Sequence, residues 1–256
     1  MKRSSGGPDL SWARSGVAGA VRQVILSCVL GPIIDVYTRR RIVGREHLSG
    51  LAGPVLFVAN HSSHMDTPVI LRALPRAWRR RTAVAAAADY FYRVPWIARA
   101  VSLAFNTVPV QRKGEGVVPD AASQLVRLID EGWSVLVFAE GTRSRDGTVG
   151  RLRAGAAVLA AEQDLAIVPV YVSGTHAVMP PGRKWLDRRR EPGRLAGGRH
   201  MIAVCFGPPI RPREGEHRVE VMERVRLFFE ASGAATTPDR RVAALRRRSE
   251  SRPSAS

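Results

Sequence analysis

The chain has 256 residues, of which 45% are hydrophobic and 24% charged, proportions that are ordinary for a globular protein with one large or two small domains. Forty Lys and Arg against 22 Asp and Glu leave a net charge of +18, which favours phosphate-bearing substrates, anionic lipid or nucleic acid as partners. Cys28 and Cys205 form no C-x-x-C motif, as expected for two reduced, packed thiols in a cytosolic compartment.

Residues 16–37 are mostly apolar, but Arg22 interrupts the run. The uninterrupted part, 24–34, is shorter than the roughly 20 apolar residues needed to span a bilayer. Arginines at 39–41 follow it, and an apolar helix with basic flanks is suited to lie in the membrane interface. A buried packing helix is the alternative. We take residues 1–38 as an N-terminal membrane-associating helical segment.

Between residues 39 and 232, short strand-like runs alternate with helical patterns, which predicts an α/β fold with a largely parallel central sheet flanked by helices. Pro109 places its strand at an edge or a bulge. The predicted strands cover 54–60, 82–88, 105–110, 134–139, 166–172 and 200–206. The predicted helices begin at Asp66 or cover 94–104, 119–132, 153–163 and 219–231. Residues 233–256 are rich in Arg, Ser and Pro, which predicts a disordered basic tail.

Polar clusters directly follow four of the predicted strands. They are Asn60-His61, Gln111-Arg112-Lys113, the segment from Glu140 to Ser144, and the segment from Ser173 to His176. Ligands of parallel α/β sheets bind at the carboxyl ends of the strands. If the strands are parallel, all four clusters share one edge, which predicts an active site there.

His61, His64 and Asp66 stand within six residues of one another and permit three interpretations. A metal site is disfavoured, because the spacing straddles a strand–helix turn and no other His or Cys cluster completes the ligand set. Alternatively, His61 is a general base that a carboxylate orients, as in a catalytic triad. The third interpretation is a helix-capping carboxylate beside a loop histidine. Without a G-x-S-x-G motif, such a base would activate a hydroxyl of the substrate.

The segment FAEGTRSRDG places a glutamate, a glycine, a hydroxyl and an arginine just past a buried strand. Arg143 can bind a phosphate bidentately, and Arg112 can add a second positive contact. Glu140 would orient an arginine or a substrate hydroxyl. The alternative is a surface loop with an ion pair and a turn at Asp146-Gly147.

Together these residues resemble the lysophosphatidate acyltransferase family, meaning 1-acylglycerol-3-phosphate O-acyltransferases and related glycerolipid acyltransferases. That family carries N-H-x4-D, a strand ending in an arginine, F-P-E-G-T-R-S and V-P-V, in this order. The corresponding segments here are Asn60-His61 with Asp66, Val110-Gln111-Arg112, Phe138 to Ser144, and Ile167-Val168-Pro169-Val170. Each motif alone is weak, whereas four in order over residues 40–210 are specific.

The resemblance implies an acyltransferase domain over residues 39–232 that makes phosphatidic acid at the cytoplasmic face of the cell membrane. His61, oriented by Asp66, would deprotonate the hydroxyl of a lysophospholipid, which attacks acyl-CoA or an acyl carrier protein thioester. Arg112 and Arg143, with Glu140, Gly141 and Thr142, would hold the acceptor phosphate. The family chemistry implies no metal and no resident cofactor, and His64 matches no required position. The basic surface would dock on anionic lipid.

Two departures from the family pattern bear on the substrate. Ala139 replaces the usual proline, and Asn106 and Pro109 replace a glycine and an apolar residue before Arg112. Other acceptors therefore stay open: glycerol 3-phosphate, a lyso-ornithine lipid or another lysophospholipid.

Two non-enzymatic interpretations remain as alternatives. The charge also suits a nucleic-acid-binding module, but aromatic residues are only 6% and no nucleic-acid motif is present, so no nucleic-acid partner is expected. A catalytically dead membrane-binding relative is disfavoured because His61, Asp66, Glu140 and Arg143 are all retained.

Overall fold

The computed structural model describes residues 10–87, 94–110, 112–113, 116–117, 119–182, 186 and 199–236. These residues form a seven-stranded sheet with helices on both faces and a separate two-stranded hairpin. The strands are β1 (Thr38–Val43), β2 (Leu56–Ala59), β3 (Thr82–Ala87), β4 (Thr107–Val110), β5 (Arg112–Lys113), β6 (Gly116–Val117), β7 (Ser134–Phe138), β8 (Ile167–Ser173) and β9 (His200–Phe206). The helices are α1 (Gly16–Tyr37), α2 (Asp66–Ala73), α3 (Arg76–Arg80), α4 (Pro95–Phe105), α5 (Pro119–Asp130), α6 (Gly155–Glu162), α7 (Thr175–Val178) and α8 (Arg218–Ala231).

The sheet has the order β1-β9-β8-β2-β7-β3-β4. All neighbouring pairs from β8 to β4 are parallel, whereas β9 runs antiparallel to β8 and carries β1 parallel to itself. The prediction of a largely parallel α/β sheet is therefore confirmed. Strand β4 is the last in the order, which confirms the edge position predicted from Pro109.

The sheet separates two hydrophobic cores, and β2 contributes to both because successive side chains of a strand point to opposite faces. Leu56 and Val58 belong to the core covered by α5, α6 and α8. Phe57 and Ala59 belong to the core covered by α1 and α2. All four side chains are fully buried. A continuous apolar run is typical of such a central strand.

Strand β1 is the main element that the sequence pattern did not predict. Three of its six residues are arginines, a composition that indicates a basic flank of the apolar segment. Its exposure alternates along the strand, from buried Thr38 to exposed Val43. Charged side chains are common on edge strands, because one side of the strand faces solvent and the charges discourage pairing with another chain.

Helix α1 is continuous over 22 residues and contains a π-helical turn at Ile25–Val29. Among the described residues it is the one helix long and apolar enough to cross a membrane, and 28% of its most apolar 18-residue stretch is buried. Its exposed side chains are also apolar, with Val17 78%, Val24 57% and Val36 55% exposed. The predicted interruption at Arg22 does not break the helix, because Arg22 turns inward and is only 3% exposed.

The Arg22 guanidinium ties α1 to α4. Its Nε donates to the carbonyl of Leu103 at 2.9 Å, and Nη2 donates to the carbonyls of Ala13 and Ser102 at 2.5 and 3.3 Å. Burial, and to a lesser extent nearby Arg14, lowers the pKa of Arg22 to about 10, so the side chain stays charged at neutral pH. A cation beside the last carbonyls of a helix is favourable. Arg22 therefore fixes α1 against the α/β unit.

The predicted tail begins at residue 233, but the described chain continues to residue 236 after α8. The main-chain N–H of Val149 donates to the carbonyl of Ala235 at 2.8 Å, and Val149 also forms a parallel bridge with Thr236. These residues therefore belong to the folded unit. Residues 237–256 and 1–9 lie outside the described residues.

Replacing Arg22 with Met should lower the free energy of unfolding by about 2–3 kcal/mol, because buried carbonyls lose a charged donor. Guanidinium unfolding followed by circular dichroism would measure the change. Arg99→Met is the matched control on α4, since Arg99 is exposed. Equal stability of the two variants would show that the hydrogen bonds of Arg22 do not hold α1 against α4.

Candidate active site

The carboxyl ends of β8, β2 and β7 bring three of the four polar clusters together. These strands are adjacent and parallel, so the segments that follow Ala59, Phe138 and Ser173 meet at one edge of the sheet, as predicted. The fourth cluster follows β4, two strands beyond β7. Arg112 begins the hairpin strand β5, and its side chain lies outside the described part of the structure.

His61 and Asp66 form a directly bonded pair. Nδ1 of His61 lies 2.8 Å from Oδ2 of Asp66. The Asp66 side chain is fully buried, whereas the His61 side chain keeps 18% exposure. A carboxylate at Nδ1 orients the ring and stabilises the imidazolium that forms when Nε2 takes a proton. The contact between His61 and Asp66 is therefore the one that a general base makes with the carboxylate that orients it.

Asp66 receives three further donors. The main-chain N–H groups of Ser62 and Ser63 donate to Oδ2 at 2.7 and 2.8 Å, and the Thr175 hydroxyl donates to Oδ1 at 2.5 Å. A buried carboxylate needs such partners, because an unpaired charge in the interior costs several kcal/mol. Both oxygens of the Asp66 carboxylate thus accept hydrogen bonds from protein donors. The described residues contain no group of three His, Cys, Asp or Glu side chains arranged to hold a metal ion.

Glu140 contacts the main chain of His61, whereas Asp66 contacts its ring. Its Oε1 accepts the main-chain N–H of His61 at 2.8 Å, and its Oε2 accepts that of Gly150 at 2.8 Å. Burial raises the pKa of Glu140, and the two N–H donors act against that rise. The glutamate therefore positions the histidine backbone, a role that the motif did not indicate. Direct contact with substrate remains a prediction for this residue.

Phe138, the last residue of β7, stacks on the His61 ring with centroids 3.9 Å apart and planes 19° apart. With Asp66 at one edge and Phe138 on one face, the ring has little freedom to rotate. The main chain after Glu140 also returns to this point, since Ser144 donates its N–H to the carbonyl of His61 at 2.8 Å. Nε2 is the ring nitrogen that Asp66 does not contact, and the side chain keeps 18% exposure.

The loop of Gly141, Thr142 and Arg143 leaves β7 beside this histidine. Gly141 has a positive φ of 73°, a conformation that favours glycine. Thr142 is exposed and Arg143 is partly exposed. Burial, and then the charges of Arg143 and His61, lower the pKa of His64 to about 4. His64 is therefore neutral at neutral pH, and the charge of Arg143 acts on it from the loop after β7.

Sequence reasoning missed the structural roles of two polar side chains. Asn60 pairs with the main chain of Val172 through both amide atoms, at 2.9 and 2.7 Å, and so extends the β2–β8 pairing. Thr175 is fully buried and reaches Asp66 from the start of α7. The only sequence signal for this contact is that Thr175 belongs to the polar cluster after β8. The contact itself could not be predicted, because Asp66 lies 109 positions away.

A family model described as Acyltransferase matches residues 39–173, more than half of the chain. The 1-acyl-sn-glycerol-3-phosphate acyltransferase LPAT1 of Arabidopsis thaliana, a chloroplastic protein, is 32% identical over 143 residues, 55% of this chain and 38% of the relative. The 1-acyl-sn-glycerol-3-phosphate acyltransferase of Limnanthes douglasii is 29% identical over 56% of this chain and 48% of the relative. The chain thus spans less than half the length of these relatives.

The fold is also similar to a solved structure. The crystal structure of the 1-acyl-sn-glycerophosphate acyltransferase PlsC from Thermotoga maritima aligns with a TM-score of 0.58 over 88% of this chain and 84% of that chain. The sequence identity is 23%. At this identity the likeness concerns the fold alone, and it supports the parallel sheet with helices on both faces.

Replacing Thr175 with Val should lower the free energy of unfolding by about 1–3 kcal/mol, because Asp66 Oδ1 loses its donor while buried. Thr175→Ser keeps the hydroxyl and should unfold nearly as the unmodified protein does. Denaturant unfolding at neutral pH would measure both variants. If Val and Ser variants were equally stable, the hydroxyl would not support the buried carboxylate.

Proposed function

Since the chain belongs to the acyltransferase family, we propose that it transfers a fatty acyl group from an acyl thioester to the free hydroxyl of 1-acylglycerol 3-phosphate, giving phosphatidic acid. The observation that carries this proposal is the 2.8 Å contact between His61 Nδ1 and the buried Asp66 carboxylate. The names of the plant relatives point to the same acceptor.

In the proposed reaction, Nε2 of His61 removes the proton from the acceptor hydroxyl. The hydroxyl oxygen forms a bond to the thioester carbonyl carbon, and the tetrahedral intermediate then breaks the carbon–sulfur bond. The imidazolium returns its proton to the departing thiolate, so the free thiol and the ester are the products. The acceptor supplies the nucleophile, and the transfer needs neither an acyl-enzyme intermediate nor a resident cofactor.

The loop after β7 would bind the acceptor phosphate. Arg143 offers a planar guanidinium that matches two phosphate oxygens, and Gly141 and Thr142 add main-chain and hydroxyl contacts. Arg112 would add a second cation from the segment that follows β4, two strands beyond β7. Glu140 would act mainly on His61, because both of its oxygens already accept main-chain N–H groups.

The protein would work at the cytoplasmic face of the cell membrane, where its acceptor and its product reside. The exposed apolar side of α1 would enter the interface, and basic residues would attract the anionic leaflet. The donor would be acyl-CoA or an acyl carrier protein. Glycerol 3-phosphate, a lyso-ornithine lipid or another lysophospholipid is the alternative acceptor, because Asn106 and Pro109 depart from the family pattern before Arg112.

Thiol release from the donor tests this proposal. The purified chain in liposomes would receive oleoyl-CoA, or an acyl carrier protein loaded with the same acyl group, together with a panel of acceptors. Release with lysophosphatidate supports the proposed function, and release with another acceptor alone moves it to the alternative. Silence with every donor and acceptor, together with salt-dependent binding to duplex DNA, would favour a nucleic-acid-binding module.

His61→Ala should abolish thiol release without unfolding the protein, because the proton acceptor is lost. Asp66→Asn should lower kcat by about four orders of magnitude, as for a triad aspartate. Initial rates at saturating donor would measure both effects. His217→Asn is the control, since His217 caps α8, away from the site. Near-normal rates for His61→Ala would refute the mechanism.

Arg143→Ala should raise the KM for the acceptor by about tenfold or more, because a charged hydrogen bond to phosphate is worth about 1.5–3 kcal/mol. The KM for the donor should change little. Arg143→Lys should recover only part of the loss, because an ammonium cannot bind two phosphate oxygens in the same plane. Equal effects on acceptor and donor KM would contradict a phosphate-binding role.

A further inference from the structure

Five arginines lie close enough to interact electrostatically, and three of them contact α1 through Asp35 or Gln23. We refer to them as the arginine row: Arg40, Arg45, Arg72, Arg76 and Arg79. They come from β1, the turn after β1, α2 and α3. Asp35 is the only carboxylate in contact with the row among the described residues. Within the described part of the chain, the row therefore carries more positive charge than its one carboxylate neutralises.

Most members of the row are held in place by neutral partners or by this one carboxylate. Asp35 receives Arg40 Nη2 at 2.7 Å and Arg72 Nη2 at 3.2 Å. Arg45 donates to the carbonyl of Ala73 at 2.6 Å, and Arg79 donates to Oε1 of Gln23 on α1 at 2.8 Å. The side chains are thus pre-positioned around α1, and their remaining N–H groups can bind an additional anion.

Arg72 is the member of the row with an unused hydrogen-bond donor among the described residues. Its side chain is 13% exposed, and its guanidinium lies over Gly31 of α1. Its Nη1 is buried and has no hydrogen-bond partner among the residues that the structure describes. Burial and the charge of Arg72 lower the pKa of Arg40, and burial, Arg72 and Arg76 lower that of Arg79. Burial is the largest cause of both shifts, the neighbouring like charges add to it, and Asp35 acts against it at Arg40.

We propose that the arginine row binds the headgroup phosphate of an anionic phospholipid while the exposed apolar side of α1 contacts the acyl chains. Guanidinium groups bind phosphate oxygens in pairs. Lipid phosphate is the anion that lies beside an apolar helix in a membrane interface. This inference rests on the membrane association within the proposed function.

The lipid site is distinct from the acceptor site. Arg72 follows Asp66 by six residues on α2, which corresponds to about 9 Å along the helix axis. Helix α2 begins at the edge of the sheet where His61 lies and runs away from it, so the row lies apart from the loop after β7 that would hold the acceptor phosphate. The bound lipid would instead hold α1 and the α2–α3 region at the surface of the bilayer.

Co-sedimentation with vesicles tests the lipid site with the full chain. Phosphatidylcholine vesicles would be compared with vesicles in which part of the lipid is phosphatidylglycerol. Arg76→Gln/Arg79→Gln should lose about fivefold in affinity for the anionic vesicles for each arginine removed. Binding to pure phosphatidylcholine should be unchanged, because the apolar side of α1 is intact. The charge-matched control, Arg213→Gln/Arg218→Gln, removes exposed arginines near the start of α8 and should bind as the unmodified protein.

Lysine variants separate a defined site from diffuse attraction. Arg72→Lys/Arg79→Lys keeps the charge but removes both planar groups, so it should lose most of the preference for phosphatidylglycerol. Full preference in the lysine variant would overturn the site. Gly31→Ala should act in the same direction without any change in charge, since a Cβ there would lie 2.8 Å from Arg72 Cζ.

Two further arms identify the ligand and separate this inference from the proposed reaction. If inorganic phosphate alone raised the Tm of the unmodified protein but not of the lysine variant, and vesicles showed no lipid preference, the site would bind a free anion and the lipid proposal would fail. His61→Ala, which tests acyl transfer, should keep the preference for anionic vesicles. Loss of that preference in His61→Ala would show that the two sites are not separate.

Discussion

The site depends on the hydrogen bonds that the buried carboxylate of Asp66 accepts. A fully buried charge is tolerated only when donors surround it, and its four donors come from the turn after β2 and from the start of α7 after β8. The need to satisfy one charge therefore holds two strand ends in a single arrangement. The histidine ring is one of the four donors, so its orientation follows from the same requirement.

Glu140, which follows β7, is a second carboxylate whose oxygens are both occupied by protein donors. It accepts the main-chain N–H of His61 and that of Gly150, while Asp66 contacts the ring of His61. One carboxylate positions the backbone of the histidine and the other positions its side chain. Because both acids are occupied by protein donors, a phosphate-bearing acceptor would instead contact the glycine, the hydroxyl and the arginine of the loop after β7, as in the proposed function.

The central strands and the position of the site could be predicted because apolar runs with polar residues at their ends are local features. Interactions between distant parts of the chain could not. Strand β1 has three arginines, and only its pairing with β9 shows that an edge strand accommodates them. Arg22 looked like an interruption because its carbonyl partners at Ser102 and Leu103 are about eighty positions away. The partners of Glu140 are main-chain groups, which no side-chain motif encodes.

The position of charges around α1 constrains how the protein can meet a bilayer. By length and hydropathy α1 could cross a membrane, yet Arg22 on its inner side binds α4, and Gln23 and Asp35 on its flank bind arginines of the row. A spanning α1 would carry these partners into the hydrocarbon, at about 2.5–3.5 kcal/mol for each charged residue near the centre. The proposed interfacial placement would keep the apolar side of α1 in the lipid and would leave the arginines at the depth of the phosphates, where their charge is favourable.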